Sequence, residues 1–283
     1  INAGNANAAT GLKGVNAVKR YCKEISSQLG ISSSNAIPFS TGVIGEPFPT
    51  SKYLKAFKKA IPSLNQKNWK AAALSILTTD TKPKLISKEI NIGKRKVAIT
   101  GFAKGSGMIR PDFATLLSFV FIDGKLNSES LKKIHSNALS ESFEALTVDG
   151  DTSPNDSSLL VASGNKENFI KKNSTEEKKL EKAVKEIFRE LAHLLAKDAE
   201  GATKKISVNV SQAKNQKQAK SVAFTVAESP LVKTAMFGND ANWGRILSAV
   251  GRDAEINNIE KVSISINGQP MVKRGNLDPK HSE

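Results

Sequence analysis

The chain has 283 residues, 39% of them hydrophobic, which is enough for one large domain or two small ones. It carries 42 Lys+Arg against 27 Asp+Glu, a net charge of +15, yet the lysines are scattered and aromatics are only 6%. A nucleic-acid-binding module is therefore disfavoured, since neither a basic arm nor a base-stacking platform is present. The single cysteine, Cys22, excludes an internal disulfide and fits a reducing compartment. No apolar run is long enough to span a membrane.

Taken in chain order, Lys13 to Leu29 reads as an amphipathic helix closed by Gly30, with Cys22 on the apolar face of Val15, Val18, Ile25 and Leu29. Asn68 to Leu77 predicts a second helix. Glu89 to Ile99 predicts a hairpin, with Ile90 and Ile92 before a turn at Gly93 and Val97 and Ile99 after it. Thr115 to Ile122 is almost continuously apolar, as expected for a strand buried on both faces. Ser128 to Leu139 predicts a helix. Thr175 to Lys197 predicts a longer one, with Leu180, Ala183, Val184, Ile187, Phe188, Leu191, Leu194 and Leu195 in one stripe. Ser174 and Glu177 form a capping box at its start. Ile206, Val208 and Val210 alternate as a strand. A helix bearing Ala219, Val222, Ala223 and Val226 stops near Pro230. Val262, Ile264 and Ile266 lead into an Asn267-Gly268 hairpin turn. Residues 153–158 and 213–217 read as polar loops.

The residues that carry chemistry centre on KGSGMIRPDFATLLSFVFID, Lys104 to Asp123. A Gly-rich turn with one lysine leads to Thr115, a hydroxyl at the head of the buried strand. On pattern alone a β-branched strand starter is the favoured reading. The sharper reading is a nucleophile that becomes a chain end when the Ala114-Thr115 bond is cut. Acyl transfer needs a nucleophile, a base and an oxyanion hole. The three histidines, His135, His193 and His281, read as solvated surface residues, so a Ser-His-Asp triad is unsupported. No Cys or His spacing suggests a zinc site, and Gly105 to Gly107 is not a dinucleotide fingerprint. An N-terminal threonine supplies its own base, because a free α-amine has a pKa of about 7.7–8.0.

In order along the chain stand NAGNANAATG (2–11), STGVIG (40–45), TTDT (78–81), AKGSGMI (103–109), ATLLSF (114–119), TVDGDTSPND (147–156), EGATK (200–204) and SPLVKTAMFGNDANWGRIL (229–247). This set resembles the ornithine acetyltransferase family, the glutamate N-acetyltransferases of the cyclic arginine pathway. The resemblance implies an α+β fold, an αββα sandwich of the N-terminal-nucleophile type. It implies an α segment, 1–114, and a β segment, 115–283, which associate as a heterotetramer of two each. The implied reaction is a ping-pong transfer of acetyl from N-acetylornithine to glutamate through an acetyl-threonine, after autocleavage between Ala114 and Thr115. An amidohydrolase or aminopeptidase of the same architecture is the competing reading.

Residue by residue, Thr115 matches the family's nucleophile and Thr41 and Gly42 its oxyanion-hole pair. Thr78, Lys104, Thr115 and Glu200 match substrate-binding positions, with Lys104 suited to a carboxylate and Glu200 to an amino group. Asp149, Asp151, Asn239, Asp240 and Asn242 are further polar candidates. No metal or bound cofactor is implied, although some members use acetyl-CoA as donor. A cytoplasmic location is implied, with the region before the first block unseen. The sequence departs from the family at Ala9, where Cys is frequent, and at Asp112-Phe113, where Asn-Met is frequent. Family members extend beyond both ends of this chain and carry two more substrate-binding residues past its C-terminus.

Overall fold

The computed structural model of the chain describes residues 1–110 and 116–279. These divide into two compact units, 1–200 and 201–283. The fold is α+β in both.

In the first unit, β1 (Asn2–Asn5) is followed by α1 (Gly11–Leu29), β2 (Ser40–Val43), α2 (Thr50–Ala60) and α3 (Trp69–Ser75). Then come β3 (Lys84–Ile92), β4 (Arg95–Lys104), β5 (Leu117–Ile122), α4 (Ser128–Ser140), β6 (Ser157–Ala162) and α5 (Thr175–Lys197). β1 and β2 form a parallel pair, and β3-β4-β5-β6 form a four-stranded sheet. β3, β4 and β5 are antiparallel neighbours, whereas β5 and β6 run parallel through the α4 crossover.

Side-chain alternation gives the sheet two apolar faces. Ile99, Ala103, Val120 and Ile122 meet Leu180, Val184, Ile187, Phe188 and Leu191 of α5, and Ile134 and Ala138 of α4. Helix α5 approaches so closely that a Cβ on Gly101 would lie 2.9 Å from Ile187 Cγ2 and 3.2 Å from Leu191 Cδ1. The opposite face presents Phe102, Leu117 and Phe119 to Ala73 and Ile76. Phe39, which leads into β2, packs edge-on against Phe119 with centroids 4.9 Å apart. Beyond the β1–β2 pair lie α1 and α2, where the Tyr53 hydroxyl donates to the Ala3 carbonyl (2.8 Å). The sheet is thus covered by α4 and α5 on one face and by α3 on the other, where Phe39 brings in the β pair.

The second unit holds α6 (Gln216–Ala227), α7 (Pro230–Phe237), α8 (Trp243–Gly251), β7 (Ile264–Ile266), β8 (Gln269–Lys273) and β9 (Asn276–Leu277). Its helices bury Val222, Val226, Val232, Ala249 and Val250 together, and its antiparallel sheet turns at Asn267-Gly268, both with positive φ as a type I′ turn requires. Pro230 ends one helix and opens the next at its first turn, where a missing N–H costs nothing.

Several expectations need correction. Residues 206–210 form no strand; Val208 and Val210 instead pack one-sidedly on the helical core of the second unit. The polar segment 153–158 ends inside β6, because a parallel partner satisfies the backbone whatever the side chains. On α1, Cys22 is buried but Val15 and Leu29 are exposed. The helix predicted over 68–77 is shorter, and the hairpin strands extend past 89 and 99 on both sides. His135 is half-buried, with Nε2 2.9 Å from Ser158 Oγ and its ring edge-on to Phe188, so it is not a solvated surface residue. Glu177 accepts from the Asn173 N–H rather than from Ser174, while Ser174 Oγ caps the Glu177 N–H (3.1 Å).

The expected segments meet at 114–115, outside the described residues. Strands on either side of that junction pair with each other, β4 with β5. Among the described residues no helix is long and apolar enough to cross a membrane.

Candidate active site

A cleft of about 810 Å³ opens where the β pair meets the end of the four-stranded sheet. Four pieces of chain converge there. β2 brings Thr41 and Gly42, and the TTDT segment brings Thr78. Lys104 is the last residue of β4, followed by the Gly105-Ser106-Gly107 turn. Leu116 stands at the head of β5, with Asp156 at the head of the neighbouring β6 and Glu200 just beyond α5. All of these residues line the cleft.

The backbone of β2 is pressed against that of β1. Gly4 and Gly42 are register partners, and Gly42 has φ 131°. A Cβ there would lie 2.3 Å from the Gly4 carbonyl carbon and 2.5 Å from the Asn5 nitrogen. Backbone cannot yield as a side chain can, so only glycine fits.

Charge is organised behind the cleft wall. Lys84 is 1% exposed and pairs with both Asp80 and Asp198. Asp80 also accepts the Gly105 N–H (2.7 Å) and lies 3.7 Å from Lys104 Nζ. Lys104 donates to Thr41 Oγ1 (3.0 Å) and Thr78 Oγ1 (2.7 Å). Burial would raise the Asp80 carboxyl, but Lys84, the Gly105 N–H and Lys104 outweigh it and hold it below the usual range. Burial likewise opposes ionisation of Asp198, yet bonds from Lys84 and Thr81 bring it to about 2. Lys104 is shifted the other way: desolvation pushes its ammonium below the usual lysine range, against the pull of Asp80. Asp156 is pushed up to about 7 by desolvation, with hydrogen bonds from Ser153 and the charge of Lys104 only partly opposing.

The cleft therefore gathers Thr41, Gly42, Thr78, Lys104 and Glu200. Thr115 and Ala114 lie outside the described residues, although Leu116, next in the chain, forms part of the wall. Asp149 lines the cleft but uses both carboxylate oxygens on the turn, accepting from Met108 N (2.6 Å) and Ile109 N (2.9 Å). Asp151 is exposed and its N–H folds back to Asp149. Asn239, Asp240 and Asn242 belong to the second unit. There Asn239 accepts from Lys204, Asn242 caps α8 at Arg245 N (3.1 Å), and Asp240 accepts from Asn242. Sequence reasoning missed Asp80, Lys84, Asp156 and Asp198. Asp80 and Asp156 lay within the motif blocks, but a lone Asp in a turn-rich stretch carries no signal of burial. Among the described residues no cluster of His, Cys, Asp and Glu could hold a metal ion.

The sequence model of the ArgJ family matches residues 1–283. The chain belongs to the ArgJ family. It is 41% identical over 285 residues to the arginine biosynthesis bifunctional protein ArgJ of Methylococcus capsulatus, covering 100% of this chain and 70% of that protein. To the protein of the same name from Caldanaerobacter subterraneus subsp. tengcongensis it is 44% identical over 265 residues, 93% of this chain and 66% of the relative. The crystal structure of the Bacillus halodurans protein of that name superposes with a TM-score of 0.53 at 37% identity, covering 56% of this chain and 75% of that one. The motif resemblance is thereby borne out, and with it the α+β fold class and the expectation of an arginine-biosynthesis enzyme. The chain spans 62–70% of the length of the curated ArgJ relatives it matches.

Proposed function

We propose that the complete protein transfers acetyl from N-acetylornithine to glutamate by a ping-pong mechanism, after self-cleavage between Ala114 and Thr115. In the first half-reaction Thr115 Oγ attacks the acetyl carbonyl. The amide bond breaks, ornithine leaves with the proton, and an acetyl ester remains on the threonine. In the second, the glutamate amine attacks that ester, the C–O bond to the threonine breaks, and the proton the amine gives up passes through the threonine's own α-amine to the departing hydroxyl. Thr41 and Gly42 are assigned to the oxyanion and Thr78, Lys104 and Glu200 to the amino-acid substrates.

The observation that supports this reading is the shared cleft. Oxyanion candidates, a cation and an anion from different elements line it together with the first described residue of the strand that follows Thr115. Opposite charges beside one nucleophile suit a zwitterionic amino acid, whereas a nucleic-acid backbone would call for cations alone. The pairing of β4 with β5 would keep the two segments joined after the cut.

The test uses the complete protein. N-terminal sequencing of the smaller-numbered end of the β segment should begin at Thr115, and Thr115→Ala should give one intact chain. Labelled acetyl from N-acetylornithine should appear mainly in N-acetylglutamate when glutamate is in excess. Label appearing mainly as free acetate would favour the hydrolase. The relatives are named bifunctional, which supports acetyl-CoA as a second donor; labelled acetyl-CoA in the same assay tests it. A heterotetramer, two α and two β segments, acting in the cytoplasm, completes the proposal, and its mass by light scattering checks the assembly.

A further inference from the structure

The ammonium of Lys104 is enclosed by protein. It donates to Thr41 Oγ1 at 3.0 Å and Thr78 Oγ1 at 2.7 Å, and it forms an ion pair with Asp80 Oδ2 at 3.7 Å. The side chain is 9% exposed. A lysine placed only to capture a substrate carboxylate would keep donors turned to the open cleft. This one spends two of its three on threonine hydroxyls.

For Thr41 the consequence is directional. Its oxygen accepts from an ammonium, so its own hydrogen must point away from Lys104. An O–H whose oxygen receives a charge-assisted bond is also the stronger donor. Thr41 lines the cleft, and its neighbour Gly42 is fixed by the tight approach of β1.

Asp80 in turn fixes Lys104. Its side chain is 0% exposed. Oδ1 accepts from Lys84 and from the Gly105 N–H, and Oδ2 accepts from the Thr78 N–H at 3.4 Å. Lys84 is tied at its other side to Asp198, which follows α5 and is held by the Thr81 and Lys82 N–H groups. The result is a chain of alternating charge, Asp198–Lys84–Asp80–Lys104, ending on the Thr41 hydroxyl.

We propose that Lys104, held by the buried Asp80, is a positioning residue that orients and strengthens the Thr41 hydroxyl as a donor to the reacting oxygen. This rests on the assignment of Thr41 to the oxyanion hole. It gives Lys104 a role that acts through another residue, separate from contact with a substrate carboxylate. Loss of a proton from Lys104 would remove the positive charge that makes its bond to Thr41 charge-assisted. The charged groups around Lys104 are Asp80 from the TTDT segment, Lys84 from β3 and Asp156 before β6, with Glu200 on the same cleft. Desolvation and Lys84 disfavour the proton, while Asp80 and Asp156 favour it. Neutralising Asp80 should therefore bring deprotonation to lower pH.

A double-mutant cycle on the complete enzyme tests the proposal, with kcat and KM measured separately. Thr41→Ala should lower kcat by about 10²–10³-fold, the usual loss of one oxyanion donor. Lys104→Met should lower kcat by about tenfold or more in the wild-type background and by less than about twofold in the Thr41→Ala background. Any effect on KM through substrate binding should be alike in both. An equal fall in kcat in the two backgrounds overturns the proposal while leaving Thr41 in its role. Full turnover in Thr41→Ala alone overturns the oxyanion assignment and the proposal with it. Asp80→Asn, nearly isosteric, provides the second variant should Lys104→Met fail to fold. Its alkaline limb of kcat should move to lower pH, and an unmoved limb overturns the proposal.

Discussion

Replacing Lys84 by methionine would isolate the contribution of the buried charge chain to stability. Lys84 is 1% exposed and its ammonium is shared by Asp80, 0% exposed at the side chain, and Asp198, 10% exposed. Methionine keeps most of the apolar stem, so the perturbation is electrostatic more than steric. Two carboxylates then lose their common cation. Asp80 retains the Gly105 N–H and the more distant Lys104, while Asp198 retains Thr81 and Lys82. Removing one partner of a buried pair costs about 3–5 kcal/mol, because an uncompensated charge is left behind. Urea unfolding at pH 7, followed by circular dichroism, should show that loss as a lower midpoint at little-changed slope. The loss should shrink toward pH 4, since stranded carboxylates can take up protons in the folded variant. In the wild type the sign is opposite. Asp198, held at about 2 when folded against about 3.9 unfolded, stabilises above that window and loses its contribution as pH falls through it. Adding Asp198→Asn to Lys84→Met should recover part of the stability. A cost below about 1 kcal/mol at pH 7, typical of exposed pairs, would refute the reasoning.

Gly42→Ala should damage both fold and turnover, since its Cβ would meet the Gly4 and Asn5 backbone and φ is 131°. A strained backbone of this kind costs about 1–3 kcal/mol, read as a lower melting temperature alongside lost acetyl transfer. Asp156 is raised to about 7, so the folded state holds a proton that the unfolded state releases near pH 4, and stability falls as pH rises between those values. Asp156→Asn should therefore raise the urea midpoint at pH 8 and leave it unchanged below pH 4; an equal effect at both would exclude the titration. Gly101→Val should push α5 off the sheet, given the 2.9 Å approach of Ile187, and destabilise by about 1–3 kcal/mol through overpacking.

Elements whose stability comes from their own pattern were legible in the sequence. Helix α5 runs from Thr175 to Lys197 as its apolar stripe and Ser174 cap require. The β3–β4 hairpin turns after Ile92, and Asn267-Gly268 turns β7 into β8. Elements whose stability depends on a distant partner were misread. β6 is polar at Ser157 and Ser158 yet is a strand, because β5 lies parallel to it across a helix. Residues 206–210 alternate yet lie outside the sheets, because no strand among the described residues pairs with them.

The same division holds at the cleft. The ordered motif blocks by themselves determined the family and named Thr41, Gly42, Thr78, Lys104 and Glu200. Only the tertiary structure decided that Lys104 turns its ammonium onto Thr41 and Thr78, and that Asp80, Lys84 and Asp198 stand behind it. Residue type and spacing specify what a side chain can donate or accept. Which partner it meets, and whether water is excluded around it, depends on chain segments from β2, β3, β4 and the end of α5 closing on one point. Burial alone turns those carboxylates and ammoniums from solvated charges into a fixed array, and burial is a property of the packed fold.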